Sequence, residues 1–312
     1  TVVVNLPRTL LQDSDLMLVV TYVGAVPNQE LDSDTIAVTP DAQEQGPVEP
    51  REPALLLSNR SYWYPQNPVP DYATASLRIS VPPGYTCIAS GHPVQPSDVV
   101  SLGDILAGSQ GPSFVFRADQ PLRYLALVIT RLWRIGEGRV VIQNQTDPGS
   151  GVDSIAVTVA SQNSLRSQSR QVPQEAEAIL QFYSSLMGDA PYTSAAIALL
   201  ESDLPGGHSP GYFAVLNTPT AFAAMNWRGD PASFDNFPQF FLAHELAHQW
   251  WGQAIGWKNY HEQWISEGFA QYFAALYAQK TRGDRVFTDM LRQFRRWSLS
   301  QSDQGPVHLG SR

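Results

Sequence analysis

Residues 244–267 read HELAHQWWGQAIGWKNYHEQWISE, and four of them have the side chains and spacing to activate a water molecule on a metal ion. His244 and His248 are four apart, so on a helix both imidazoles lie on one face and can meet the same ion. Glu245 follows His244 directly and can reach a water on that ion as general base. Glu267, after 18 intervening residues, would be the third ligand. Three protein ligands leave a fourth position for water, which is the form of a catalytic zinc site and not of a structural one.

A chance string, or two unrelated surface histidines on a helix, would give the same spacing. The flanks argue against both. Phe240, Phe241, Leu242, Leu246, Ala247, Trp250 and Trp251 make the segment apolar nearly all round, so the helix should be buried. Two buried imidazoles and a buried carboxyl need partners, and a metal supplies them. Ile265 to Arg282 reads as a second helix, with Ser266 as N-cap and Gly283 as the residue just past its end.

Spacing separates the zinc classes. A metzincin places a third His six residues after the second, where this chain has Ala254. HELAHQW at 244–250 and WISEGFAQY at 264–272 resemble the aminopeptidase N family of gluzincin metallopeptidases. The gap before Glu267 fits that family better than the thermolysin family, which keeps one more residue there. The similarity extends upstream through AEAILQFYSSLMGDAPY (176–192), DYATASLRISVPPGYTCIASG (71–91) and FVFRADQPLRYLALVI (114–129), the last two resembling strand pairs of the family's N-terminal β domain.

The resemblance implies one Zn2+ per chain, a peptide substrate and zinc-dependent hydrolysis of peptide bonds, with removal of N-terminal residues as the family's activity. It implies that zinc polarises the substrate carbonyl while Glu245 takes a proton from water and passes it to the leaving amine. Gln271 and Asn259 are candidate acceptors for the free ring N–H groups of the ligating histidines. Two departures stand out. The family's G-A-M-E-N segment, whose Glu binds the substrate's amino terminus, corresponds here to Gly206, Gly207, His208 and Ser209, with no carboxylate. These four are the candidate substrate-binding residues, and the strand GYFAVLN (211–217) is expected to bind extended substrate along its edge. The family's oxyanion-stabilising Tyr lies farther beyond the third ligand than this chain reaches; Tyr277 is expected to be a packing residue.

Composition fits a globular protein with room for two cores. The net charge of −9 and only two Lys argue against a nucleic-acid partner. No apolar run reaches the ~18 residues needed to span a bilayer. Cys87 is the only cysteine, which excludes an intrachain disulfide and assigns no compartment. Residues 30–52 hold seven acids and one Arg and read as a solvated loop. Nothing fixes the oligomeric state.

The expected fold class is α+β and multidomain. Residues 1–162 would form an all-β sandwich or saddle, cut at its start because TVVVNL already alternates like a strand. Strand patterns occupy 16–26, 76–81, 113–118, 122–130, 139–145 and 154–160. Residues 163–312 would form a thermolysin-like zinc peptidase domain, cut at its end, with helices over 174–187 and 287–300 beside the two carrying the ligands. Three readings stay open: a metallo-aminopeptidase, an endopeptidase or other zinc hydrolase on the same scaffold, and a non-catalytic relic.

Overall fold

A computed structural model describes residues 16–29, 51–66, 71–95, 111–142, 151–202, 206–219 and 232–300. The opening TVVVNL, most of the acidic stretch and the C-terminal tail lie outside the described residues. The expected first strand, 16–26, is described and is not a strand. Residues 16–25 are exposed, and no strand among the described residues pairs with them. Apolar alternation marks a strand only where a partner edge is available to satisfy its backbone.

The next segments build two three-stranded sheets. One takes β1 (Leu55–Leu57), β3 (Thr86–Ala89) and β6 (Leu127–Thr130) in the order β1-β6-β3; the other takes β2 (Ala73–Ser80), β4 (His92–Val94) and β5 (Ser113–Leu122) in the order β2-β5-β4. Each of the two resembling strand pairs, β2 with β3 and β5 with β6, is divided between the sheets instead of forming a hairpin. The connections cross the sandwich, and Leu77, Ile79, Phe114 and Phe116 of one sheet meet Leu57, Cys87, Ala89 and Leu127 of the other.

A third sheet runs β10 (Gly206–His208), β11 (Phe213–Pro219), β9 (Ser194–Ser202), β8 (Ser154–Ser161) and β7 (Trp133–Val141) in that spatial order. The pairs β8–β9 and β9–β11 are parallel, and both edges are antiparallel. β7 and β8 therefore hydrogen-bond into the sheet that leads to the zinc helices, although they precede residue 162. A period of two identifies a strand without saying which sheet it joins.

The side-chain alternation of the third sheet orders the layers. Ala195, Ile197 and Leu199 of β9 face the helices. Ala198 and Leu200 of the same strand, with Phe213 and Val215 of β11, face Leu56, Ala126 and Val128 of the first sandwich sheet. The molecule is thus four layers deep: sheet, sheet, sheet, helices.

The helical layer begins with α1 (Val172–Met187), which crosses over between the parallel strands β8 and β9. Its buried Ala176, Ile179, Leu180 and Tyr183 follow the 3.6 period, and Gly188 ends it at φ 80°, as its sequence position leads one to expect. α2 (Phe240–Ala247), α3 (Trp264–Arg282) and α4 (Asp284–Ser300) complete the layer. α3 starts one residue earlier than expected, with Gln263 at its N-cap, so Ser266 lies inside the helix and does not cap it. Tyr277 packs among Phe182, Tyr183 and Phe237, in its expected role.

Candidate metal centre and active site

α2 is a short helix buried on every side. Its mean apolarity makes it the centre of the helical core, and Tyr183 ties it to α1 by donating to the Ala243 carbonyl at 3.0 Å. His248 sits at the helix's C-cap. On α3 the buried stripe is Ala270, Phe273, Ala274, Tyr277 and Ala278. Glu267 extends that stripe by one turn and so faces α2.

The three residues meet. His244 Nε2 lies 3.1 Å from His248 Nε2, and Glu267 Oε2 lies 3.4 Å from each. They form the one metal-capable group of this kind among the described residues. Four ligands held tetrahedrally at about 2.0–2.1 Å are about 3.3 Å apart. The observed triangle has those edges, so the donor set fits a zinc ion with one position left over.

The environment fixes the donors. His248 Nδ1 lies 3.0 Å from the Trp251 carbonyl and 3.1 Å from Ser266 Oγ. A carbonyl only accepts, so Nδ1 carries a proton and Nε2 is directed at the ligand group. The expected partners Asn259 and Gln271 do not serve here: Asn259 accepts from the His261 amide, and Gln271 is exposed. His244 Nδ1 is buried with no hydrogen-bond partner among the described residues. Burial acts to lower the His248 pKa, but the Glu267 charge, its hydrogen bond and the Glu245 charge outweigh it and push it up to about 10. Burial would raise Glu267, but the two imidazoles hold its carboxyl well below the usual range.

Glu245 is almost fully buried. Its carboxylate lies against the backbone of β10, where a Cβ at Gly207 would come within 2.7 Å of Glu245 Cδ and 2.4 Å of the Val215 carbonyl. Ser209 Oγ donates to Glu245 Oε2 at 2.5 Å. A cleft of about 670 Å³ opens over these groups, with Glu245, His248 and Glu267 on its floor and Gly207, His208 and Ser209 along one wall. Gly206 is in β10 but not in that wall. The edge strand is β10. β11, expected to bind substrate along its edge, is paired on both sides. His208 Nε2 is 2.8 Å from Ser58 Oγ, and its ring stacks on Tyr124.

Two glutamines that the motif reading passed over hold this wall. Gln249 Nε2 donates to the Pro210 and Phe213 carbonyls, and its Oε1 accepts from the Tyr212 amide. Tyr212 sits at φ 76°, a left-handed conformation that an L-residue keeps only when held there. Gln253 Nε2 donates to the Ser209 carbonyl at 2.7 Å and to Tyr124 Oη at 3.0 Å. The sequence signal was present: two amides in an otherwise apolar segment must find partners.

Residues 237–305, which contain α2, α3 and α4, match the peptidase family M1 domain. That segment is similar to the M1 peptidase domain. Aminopeptidase O of Mus musculus is 28% identical to the chain over 94 residues, which make up 30% of this chain and 10% of that protein. Aminopeptidase O of Homo sapiens is 47% identical over 36 residues, or 12% of this chain and 4% of that protein. The matched stretch thus spans a tenth or less of these relatives. Among solved structures, an M1 zinc metallopeptidase mutant from Deinococcus radiodurans bound to a Tyr-Ser-Ala substrate superposes with a TM-score of 0.54 at 19% identity, covering 84% of this chain and 55% of that one. The M1 zinc metallopeptidase from the same organism gives 0.51 at 19% identity, covering 80% and 50%. These likenesses show the fold, α+β and multidomain, over roughly half the length of the solved chains. The similarity to M1 zinc metallopeptidases implies zinc, and His244, His248 and Glu267 are grouped as its potential ligands.

Proposed function

We propose that this M1 segment hydrolyses peptide bonds in a zinc-dependent reaction, with His244, His248 and Glu267 holding the ion and Glu245 as general base. The observation that carries this reading is the 3.1–3.4 Å triangle of donor atoms beside a cleft that Glu245 also lines. When bound, the ion supplies Lewis-acid polarisation of a carbonyl and a water acidified toward neutral pH. Glu245 is positioned by Ser209 and Gly207 to accept that water's proton and return it to the leaving nitrogen. Among the described strands β10 is at the edge of its sheet, and extended peptide is placed along it. Removal of N-terminal residues is the activity we assign first.

A second reading, cleavage within a peptide, is favoured by one observation. Ser209 stands where a carboxylate for the substrate's amino terminus was sought, and its hydroxyl is engaged with Glu245.

Metal content by mass spectrometry, with His248→Ala as control, tests the first part. One zinc per chain, lost in the control, is the expected result; no zinc after reconstitution would overturn the proposal. Glu245→Gln should keep the metal and lose turnover. Cleavage of free against N-blocked peptides then separates the two readings.

A further inference from the structure

Arg123 lines the same cleft as the ligand group and has no role in the chemistry above. Its guanidinium carbon lies 3.8 Å over the ring of Trp257, a cation–π contact that fixes the guanidinium in place. Its Nη1 is buried and has no hydrogen-bond partner among the described residues. Burial, the largest influence on the group, acts against its charge. A desolvated guanidinium N–H with nothing to donate to is a cost that a ligand can remove.

No carboxylate of the cleft is placed to remove it. Three line the wall: Asp71, Glu245 and Glu267. Glu245 is bonded to Ser209, Glu267 is bound up with the two histidines, and Asp71 accepts from the Tyr72 amide at the exposed rim. The strand end that carries Arg123 is anchored to the floor of the site. The neighbouring Tyr124 stacks on His208 and accepts from Gln253. The guanidinium is therefore a fixed feature of the cleft wall.

We propose that Arg123 is an anion subsite of this cleft, and that the peptides the site takes carry a carboxylate, on an acidic side chain or at the C-terminus, that pairs with it. A guanidinium presents two parallel N–H groups to a carboxylate. The proposal rests on the peptidase reading for the nature of the ligand.

The test measures binding by calorimetry in the zinc-loaded Glu245→Gln chain, so that no turnover is needed. Short peptides differ in one feature at a time: Glu against Gln in the side chain, and a free against an amidated C-terminus. At least one carboxylate form should bind about tenfold more tightly than its amide, and the arm that responds identifies which carboxylate is bound. Arg123→Met should remove the preference and Arg123→Lys should retain part of it, with zinc content in each reporting an intact site. Equal affinity for all peptides, no binding of any, or a preference that persists in Arg123→Met would each overturn the subsite. Selective binding with no cleavage by the unmodified chain would leave the subsite standing and remove the peptidase reading. Cleavage without selectivity would do the reverse.

Discussion

At the scale of single residues, the site's chemistry depends on how Glu245 is held. A buried carboxylate that accepts from Ser209 and rests on a glycine backbone has few other positions to take. Ser209→Ala removes that hydrogen bond to Oε2. Turnover should fall by about ten- to a hundredfold, since hydrogen bonds to charged groups contribute about 1.5–3 kcal/mol, while one zinc per chain is retained. Steady-state kinetics alongside metal analysis would check this; an unchanged kcat would show that Ser209 does not position the base. The grouping of His244, His248 and Glu267, with Glu245 beside them, was legible in the sequence because three of them are local to one helix and its C-cap and Glu267 stands in a recognisable block. Ser209 was legible only as a position lacking a carboxylate. Its partner is 36 residues away, and no local periodicity connects a loop serine to a helix glutamate.

At the scale of elements, the turn after α2 packs against Ser266, the residue beside Glu267. Gly252 has φ 106°, and a Cβ there would sit 2.3 Å from Ser266 Oγ. The same Ser266 contacts His248 Nδ1. The chain reverses through the Trp251–Ile255 bridge at a residue that only glycine fits without strain. Gly252→Ala should therefore cost about 1–3 kcal/mol of stability and weaken zinc retention by displacing Ser266. Thermal unfolding and competition with a chelator would measure the two effects. Unchanged zinc retention would disconnect the turn from the metal centre. The helices themselves were readable from their 3.6 period and from Gly188 and Gly283, each just past a helix end. Several strands were readable as strands, but 16–26 is not one, β1, β4 and β10 were missed, 139–145 caught only the end of β7, and 122–130 ran together the end of β5 and β6. The strands' partners were not readable, because β2 and β3, adjacent in sequence, joined different sheets.

At the scale of the whole molecule, the stack of four layers is bound by a seam of Leu56, Ala126 and Val128 against Ala198, Leu200, Phe213 and Val215. Leu200 is almost fully buried there, and Leu200→Ala should cost about 2–5 kcal/mol. If the seam joins the layers energetically, calorimetry will show one transition moving to lower temperature. Two transitions, with only one displaced, would mean that the layers melt separately. No helix among the described residues is long and apolar enough to cross a membrane. The four-layer order was outside the reach of sequence patterning, since a strand's two apolar faces do not say what covers each.

The sheet formed by β1, β3 and β6 has two dry faces and no wet one. A β-sandwich separated from the rest would expose Leu56, Ala126 and Val128 together as a sticky patch, and chains so divided would associate through it. The first sheets therefore depend on the helix-bearing layer for solubility as much as that layer depends on them for Arg123, Tyr124 and one wall of its cleft. Anyone trimming this protein to a minimal zinc-binding unit should cut neither between these layers nor between β8 and β9, but keep the stack whole.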